Sequence, residues 1–122
     1  MNASITPRHR KKPKLLTIIV PAFNENKTIE EFYDRLSMAM NVIKQNYEIV
    51  FINDGSQDAT LSTMKRLQDI HGTITIVDLS RNFGKEIATT AGIDNAKGDA
   101  TVIIDADLQD PPELIEKLIE KW

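Results

Sequence analysis

The sequence contains no cysteine. That excludes a disulfide scaffold, a thiolate zinc centre and a cysteine nucleophile, and it suits a reducing compartment. Aromatic residues make up only 6% of the chain, too few for the stacking platforms that hold single-stranded nucleic acid. Five glycines and five prolines exclude collagen-like and low-complexity chains. No segment approaches the roughly 18 apolar residues of a spanning helix. The longest apolar run, Leu15 to Phe23, is interrupted by Thr17 and Pro21 and begins too late for a signal peptide. There is no Walker pattern and no G-x-G-x-x-G, which argues against P-loop and dinucleotide-binding enzymes. There is no G-x-S-x-G for a serine hydrolase. What remains is a chain of 122 residues, 41% hydrophobic and 27% charged. It is long enough for one domain with a sizeable core.

The net charge of −3 hides an asymmetry. Residues 1–14 hold Arg8, Arg10, Lys11, Lys12 and Lys14 and no acid. All eighteen acidic groups fall in residues 15–122, against ten basic ones. An acidic body argues against nucleic acid as a partner. The basic arm, residues 1–14, reads as a disordered, solvated terminus. It also suits an anionic membrane surface, at about 1 kcal/mol per cation.

Periodicity organises residues 15–122. Residues 15–20 are a β-branched run closed by Pro21, a buried strand. Residues 28–45 read as a helix, with Thr28 and Glu31 as its capping box. Residues 48–52 form a second strand, stopped by the turn Asn53-Asp54-Gly55-Ser56. Residues 59–70 form a helix that ends at His71-Gly72, with Gly72 as its C-cap. A strand over 73–79, a helix over 84–97 and a strand over 100–104 follow. Asp110, Pro111, Pro112 and Glu113 then open a fourth helix that reaches Trp122. Met38, Met40 and Met64 fall on or beside helical stripes and belong to the core or its margin. His71 reads as a helix-end or surface histidine. The βαβαβαβα order implies an α/β fold, a Rossmann-like parallel sheet with flanking helices. The alternation stops without a closing strand, which reads as the front part of a larger, truncated fold.

Ligands of open parallel sheets bind at the carboxyl ends of the strands. Those ends carry Pro21-Ala22-Phe23-Asn24-Glu25, Asn53 to Asp58, Ser80 to Lys85, and Asp105 to Asp110. Asp105, Asp107 and Gln109 alternate at period two, so an extended strand end would point all three one way. Two carboxylates and an amide oxygen suit Mg2+ or Mn2+. Asp110 reads as a helix cap and Asp58 as another. Asp54 would accept from a base or ribose, or merely shape its turn. Arg81 and Lys85 flank the start of a helix, where cations and free N–H groups suit phosphate.

Four segments in order, VPAFNE (20–25), INDGSQD (52–58), LSRNFGKE (79–86) and DADLQDPPE (105–113), resemble family 2 inverting glycosyltransferases of the GT-A fold. The joined forms SRNFGKE and DADLQDPPE are similar to the polyprenyl-phosphate branch, the bactoprenol-phosphate glucosyltransferases and dolichol-phosphate mannosyltransferases. The resemblance covers residues 15–122, as the nucleotide-binding half of such a domain. It implies that Pro21, Ala22, Asn24 and Glu25 line a nucleoside pocket and that Asp54 binds base or ribose. It implies that Arg81 and Lys85 lie near the nucleotide and its diphosphate. Asp105, Asp107 and Gln109 would hold Mg2+ or Mn2+, with Asp105 also near the nucleotide sugar. The implied donor is UDP-glucose or GDP-mannose. The implied acceptor is a polyprenyl phosphate at the cytoplasmic face of a membrane. The family's acceptor-binding residues and C-terminal membrane helices have no counterpart here, so no catalytic residue is assigned. Little activity is expected of these residues alone. Two other readings stay open: a family 2 transferase acting on a polysaccharide or other hydroxyl, and a non-catalytic nucleotide-binding remnant. A flavodoxin-like receiver fits less well, because it explains neither the Asp-x-Asp-x-Gln run nor the Arg/Lys loop.

Overall fold

Apolar residues in β2 (Leu16–Ala22) and β3 (Tyr47–Asn53) sort by alternation onto two faces of one sheet. The computed structural model describes residues 2–3 and 12–121. Its other elements are β1 (Asn2–Ala3), α1 (Ile29–Ile43), α2 (Thr60–Ile70), β4 (Ile74–Asp78), α3 (Lys85–Asp94), β5 (Ala100–Ile103) and α4 (Leu114–Glu120). Among the described residues the strand order is β1-β5-β2-β3-β4. Strands β2 to β5 run parallel, and β1 lies antiparallel on β5. The chain builds outward from β2 through β3 to β4, then crosses back to set β5 on the other side of β2. That reversal is a topological switch point, where a crevice opens at the carboxyl edge.

Leu16, Ile18, Val20, Ile49, Phe51 and Val102 face α1, α2 and α4 in the main core, meeting Phe32, Leu36, Met64 and Ile115. Burying each such side chain fully contributes about 1.5–3 kcal/mol. Ile19, Val50 and Ile52 face α3 in a smaller cluster with Ala88. Gly92 lets α3 lie close, since a Cβ there would stand 2.6 Å from Ile19 Cγ2.

Several local expectations are corrected. Pro21 does not close its strand; β2 runs to Ala22. Ile19 receives Ile104 N and Ala22 receives Asp54 N, so odd-numbered residues of β2 face β5 and even-numbered ones face β3. The β5 ladder stops at Ile19, so the missing N–H of Pro21 costs no sheet bond. The Thr28–Glu31 capping box is absent: Thr28 makes no cap bond to α1, because its hydroxyl is engaged in tertiary contacts. Asp110 does not cap α4, whose N-cap is Glu113. Gly72 is not a left-handed C-cap; the cap of α2 is the extended His71. Helix α3 ends at Asp94, not 97. There Asn95 Nδ2 bonds Ala91 O, and Gly98 turns against Thr17, whose Oγ1 accepts its N–H. Met38 is exposed, while Met40 and Met64 are fully buried. Most of the basic arm lies outside the described residues. At its margins Asn2–Ala3 pair with Val102 and Ile103, and Pro13 is buried.

Candidate functional site

At the switch point a cleft of about 250 Å3 is walled by residues from four strand ends. Pro21, Ala22, Phe23 and Glu25 come from the end of β2. Asp54 follows β3, Lys85 opens α3, and Asp105, Ala106 and Asp107 follow β5.

Asp54 is buried, and its carboxylate braces the β4–α3 loop. Oδ1 accepts Phe83 N at 2.8 Å and Oδ2 accepts Gly84 N at 3.1 Å. Asn82 Nδ2 donates to the Asp54 carbonyl at 3.1 Å. The adjoining Gly55 has φ +73°, and a Cβ there would lie 2.2 Å from Asn82 N. Only glycine allows these two loops to close on each other.

Glu25 sits beside the Asp-x-Asp pair. Burial pushes its carboxyl above the usual range; the Thr28 hydroxyl counters this, and the charges of Asp107, Asp105 and Asp58 add to it. Thr28 Oγ1 lies 3.1 Å from Glu25 Oε2 and 2.8 Å from Ala106 O. Asp107 Oδ1 accepts Gln109 N at 3.1 Å, and Leu108 between them has φ +67°. The run 105–109 is therefore a turn, not an extended strand end. The period-two argument for pointing Asp105, Asp107 and Gln109 one way does not apply. Lys85 Nζ donates to Asp105 Oδ2 at 2.8 Å.

Arg81 lies elsewhere. Its guanidinium stacks 4.5 Å over the Phe83 ring and lines a neighbouring cavity of about 520 Å3 with Phe23, Asn53, Ser56 and Asp78. Phe23 borders both spaces. Asn24, at φ +52°, ties the first loop to the second: its N–H donates to Ser56 Oγ and its Oδ1 accepts Gln57 N. Asp58 accepts Thr60 N and Asn26 N. Burial raises its carboxyl, but the bonds from Thr60 and Asn26 outweigh that and hold it below the usual range.

The cleft thus gathers Pro21, Ala22, Glu25, Asp54, Lys85, Asp105 and Asp107. Asn24, Arg81 and the exposed Gln109 stand outside its wall. Phe23 and Thr28 also contribute: Phe23, within the VPAFNE segment, carries no polar signal that singles it out, and Thr28, of a cap residue type, bonds Ala106 instead.

Asp105, Asp107 and Glu25 offer hard oxygens, and the crowding of negative charge on Glu25 favours a cation. Among the described residues no three His, Asp or Glu side chains are placed to hold an ion by themselves. This donor set fits an ion that takes one or two carboxylates and draws its other ligands from phosphate and water, as Mg2+ does.

Parallel strands with flanking helices, and a crevice at the switch point walled by carboxylates and, among the described residues, one lysine, define an α/β domain of the open, switch-point kind. The chain matches Glycosyl transferase family 2 over residues 17–122 and belongs to that family. It is 52% identical over 106 residues to the uncharacterized glycosyltransferase YkcC of Bacillus subtilis (strain 168), across 87% of this chain and 33% of that protein. It is 47% identical over 107 residues to the bactoprenol glucosyl transferase of Shigella phage SfV, across 88% and 35%. Among solved structures it resembles the mannosyltransferase PcManGT from Pyrobaculum calidifontis, in complex with GDP-Man and Mn2+. The TM-score is 0.72 at 29% identity, over 88% of this chain and 31% of that one. The chain spans about a third of the length of these relatives. Its sheet and helices are the corresponding part of a GT-A fold.

Proposed function

We propose that these residues bind the donor of a transferase that moves glucose or mannose, with inversion, from UDP-glucose or GDP-mannose to a polyprenyl phosphate. The observation that carries this reading is the convergence of Glu25, Lys85, Asp105 and Asp107 in one crevice at the switch point. The likeness to a bactoprenol glucosyl transferase supports the lipid acceptor, and that to a GDP-Man complex supports the donor class.

Asp105 and Asp107 would hold Mg2+ or Mn2+, and Gln109, exposed just outside the cleft wall, would have to swing in to add its amide oxygen. Such an ion neutralises the charge that develops on a departing diphosphate. Lys85 adds a second positive charge on the same side. Pro21, Ala22 and Glu25 form the wall for the nucleoside, with Asn24 fixing its loop. Asp54 keeps acceptor capacity beyond the bonds from Phe83 N, Gly84 N and Asn82 Nδ2 and so can still meet a base or ribose. Arg81 approaches the nucleotide from the adjoining cavity. A phosphate acceptor is ionised near neutral pH, so a strong general base is less needed than for a hydroxyl. No described helix is long and apolar enough to cross a membrane. The lipid acceptor would be met at the cytoplasmic membrane face by the whole protein, and these residues alone would bind donor with little turnover.

Calorimetric titration with UDP, UDP-glucose, GDP and GDP-mannose, with and without Mn2+, tests this. Mn2+-dependent binding that Asp107→Ala abolishes is the expected result. A folded chain that binds none of the four would overturn the reading.

A further inference from the structure

The contact between Lys85 and Asp105 competes with the proposed use of both residues. Lys85 Nζ lies 2.8 Å from Asp105 Oδ2, with the two side chains 62% and 35% exposed. Exposed pairs of this kind are weak and easily exchanged. Lys85 is also the sole cation among the described residues that wall the cleft, against Glu25, Asp54, Asp105 and Asp107. While it is paired, a diphosphate entering the cleft meets four carboxylates and no free positive charge. A divalent cation approaching Asp105 meets an ammonium already on that carboxylate.

Resting on the donor-site reading, we propose that Lys85 has two positions. Without ligands it neutralises Asp105. When a divalent cation takes over Asp105, Lys85 passes to the donor's diphosphate. No covalent step is involved; one ion pair is exchanged for two. Metal alone has to displace Lys85. Diphosphate alone draws Lys85 away and leaves Asp105 bare beside Asp107 and Glu25. Arriving together, each ligand supplies what the other removes. Metal and nucleotide binding are therefore positively coupled, by the same factor in both directions, and Lys85 carries much of that coupling.

The test follows free Mn2+ by its electron paramagnetic resonance signal, and UDP and GDP binding by calorimetry, on the whole chain. Lys85→Gln is expected to bind Mn2+ alone roughly two- to fivefold tighter while the coupling between Mn2+ and nucleotide shrinks. Lys85→Arg, which keeps the charge, is expected to preserve the coupling. In an Asp105→Asn background, Lys85→Gln is expected to leave Mn2+ affinity unchanged. Unaltered or weaker Mn2+ binding by Lys85→Gln, or a gain that persists without Asp105, overturns the exchange while leaving the donor site standing. If the folded wild-type chain binds neither nucleotide, with or without Mn2+, the donor-site reading falls and the exchange with it.

Discussion

The Thr28 hydroxyl lies 2.8 Å from the carbonyl oxygen of Ala106, the residue between Asp105 and Asp107. The same hydroxyl is 3.1 Å from Glu25 Oε2. One side chain at the head of α1 therefore registers two walls of the cleft against each other. Thr28→Val keeps the shape and removes the bond. A stability loss of about 1–2 kcal/mol is expected, together with weaker Mn2+-dependent nucleotide binding. Thr28→Ser should restore both. Urea denaturation and calorimetry check this; unchanged binding in the valine variant would remove Thr28 from the site.

Gly55 and Gly84 both have positive φ, at +73° and +99°, yet their surroundings differ. A Cβ on Gly84 meets nothing within 4 Å, whereas one on Gly55 runs into the backbone of Arg81 and Asn82. Gly84→Ala should cost only conformational strain, about 1–2 kcal/mol. Gly55→Ala adds a backbone clash and should cost about 3 kcal/mol or more. Equal melting temperatures for the two variants would contradict this packing.

Asp54→Asn replaces an acceptor pair with one acceptor and one donor. The Phe83 and Gly84 N–H groups both point at that carboxylate, so one would face an NH2 group. About 2 kcal/mol of stability should be lost, and hydrogen exchange at residues 83 and 84 should accelerate. Slow exchange at both in the variant would show that the loop is held by something else.

Acid should weaken two tertiary clasps. Burial raises the Asp99 carboxyl, but the N–H groups of Leu15 and Lys14 outweigh it and hold it below its usual range. Arg35 holds Glu113 low through a two-pronged contact of 2.7 and 3.1 Å. Both folded-state values are depressed, so their stabilisation is fully present above the unfolded carboxyl pKa. It is lost as pH falls through that value, about 4, toward the lower folded ones. Melting temperature should fall below about pH 4. Asp99→Asn should lower it at pH 7 and flatten the acid slope; a slope as steep as wild type would assign the acid sensitivity to other groups.

The parallel sheet was legible because β2 and β3 are buried on both faces along most of their length, and they and β5 read as short, mainly apolar, β-branched runs between helical patterns. The site's edge was legible because charge and amides concentrate after each strand. What failed was local chemistry. Thr28 and Asp110 have the residue types of caps, but Thr28 is engaged by Glu25 and Ala106, and the head of α4 is organised by Arg35 on Glu113. Pattern cannot foresee a partner 78 positions away. Nor does a two-residue strand such as Asn2–Ala3 carry any periodicity. The turn at Leu108 was hidden because a left-handed leucine has no sequence signature.

Bonds that bring α1 to the last part of the described chain join distant positions: Thr28 to Ala106 at the cleft and Arg35 to Glu113 at the head of α4, each 78 residues apart. Closing loops of that length is slow, and it must precede the contacts that reward it. On a ribosome, β2 emerges long before β5, and its neighbours on that side must wait for it. Among the elements of residues 15–122, the crevice is thus one of the last features to form. Any ligand that binds the formed crevice, as the proposed donor would, reports that β5 has joined β2 and favours that paired arrangement over its unpaired forms.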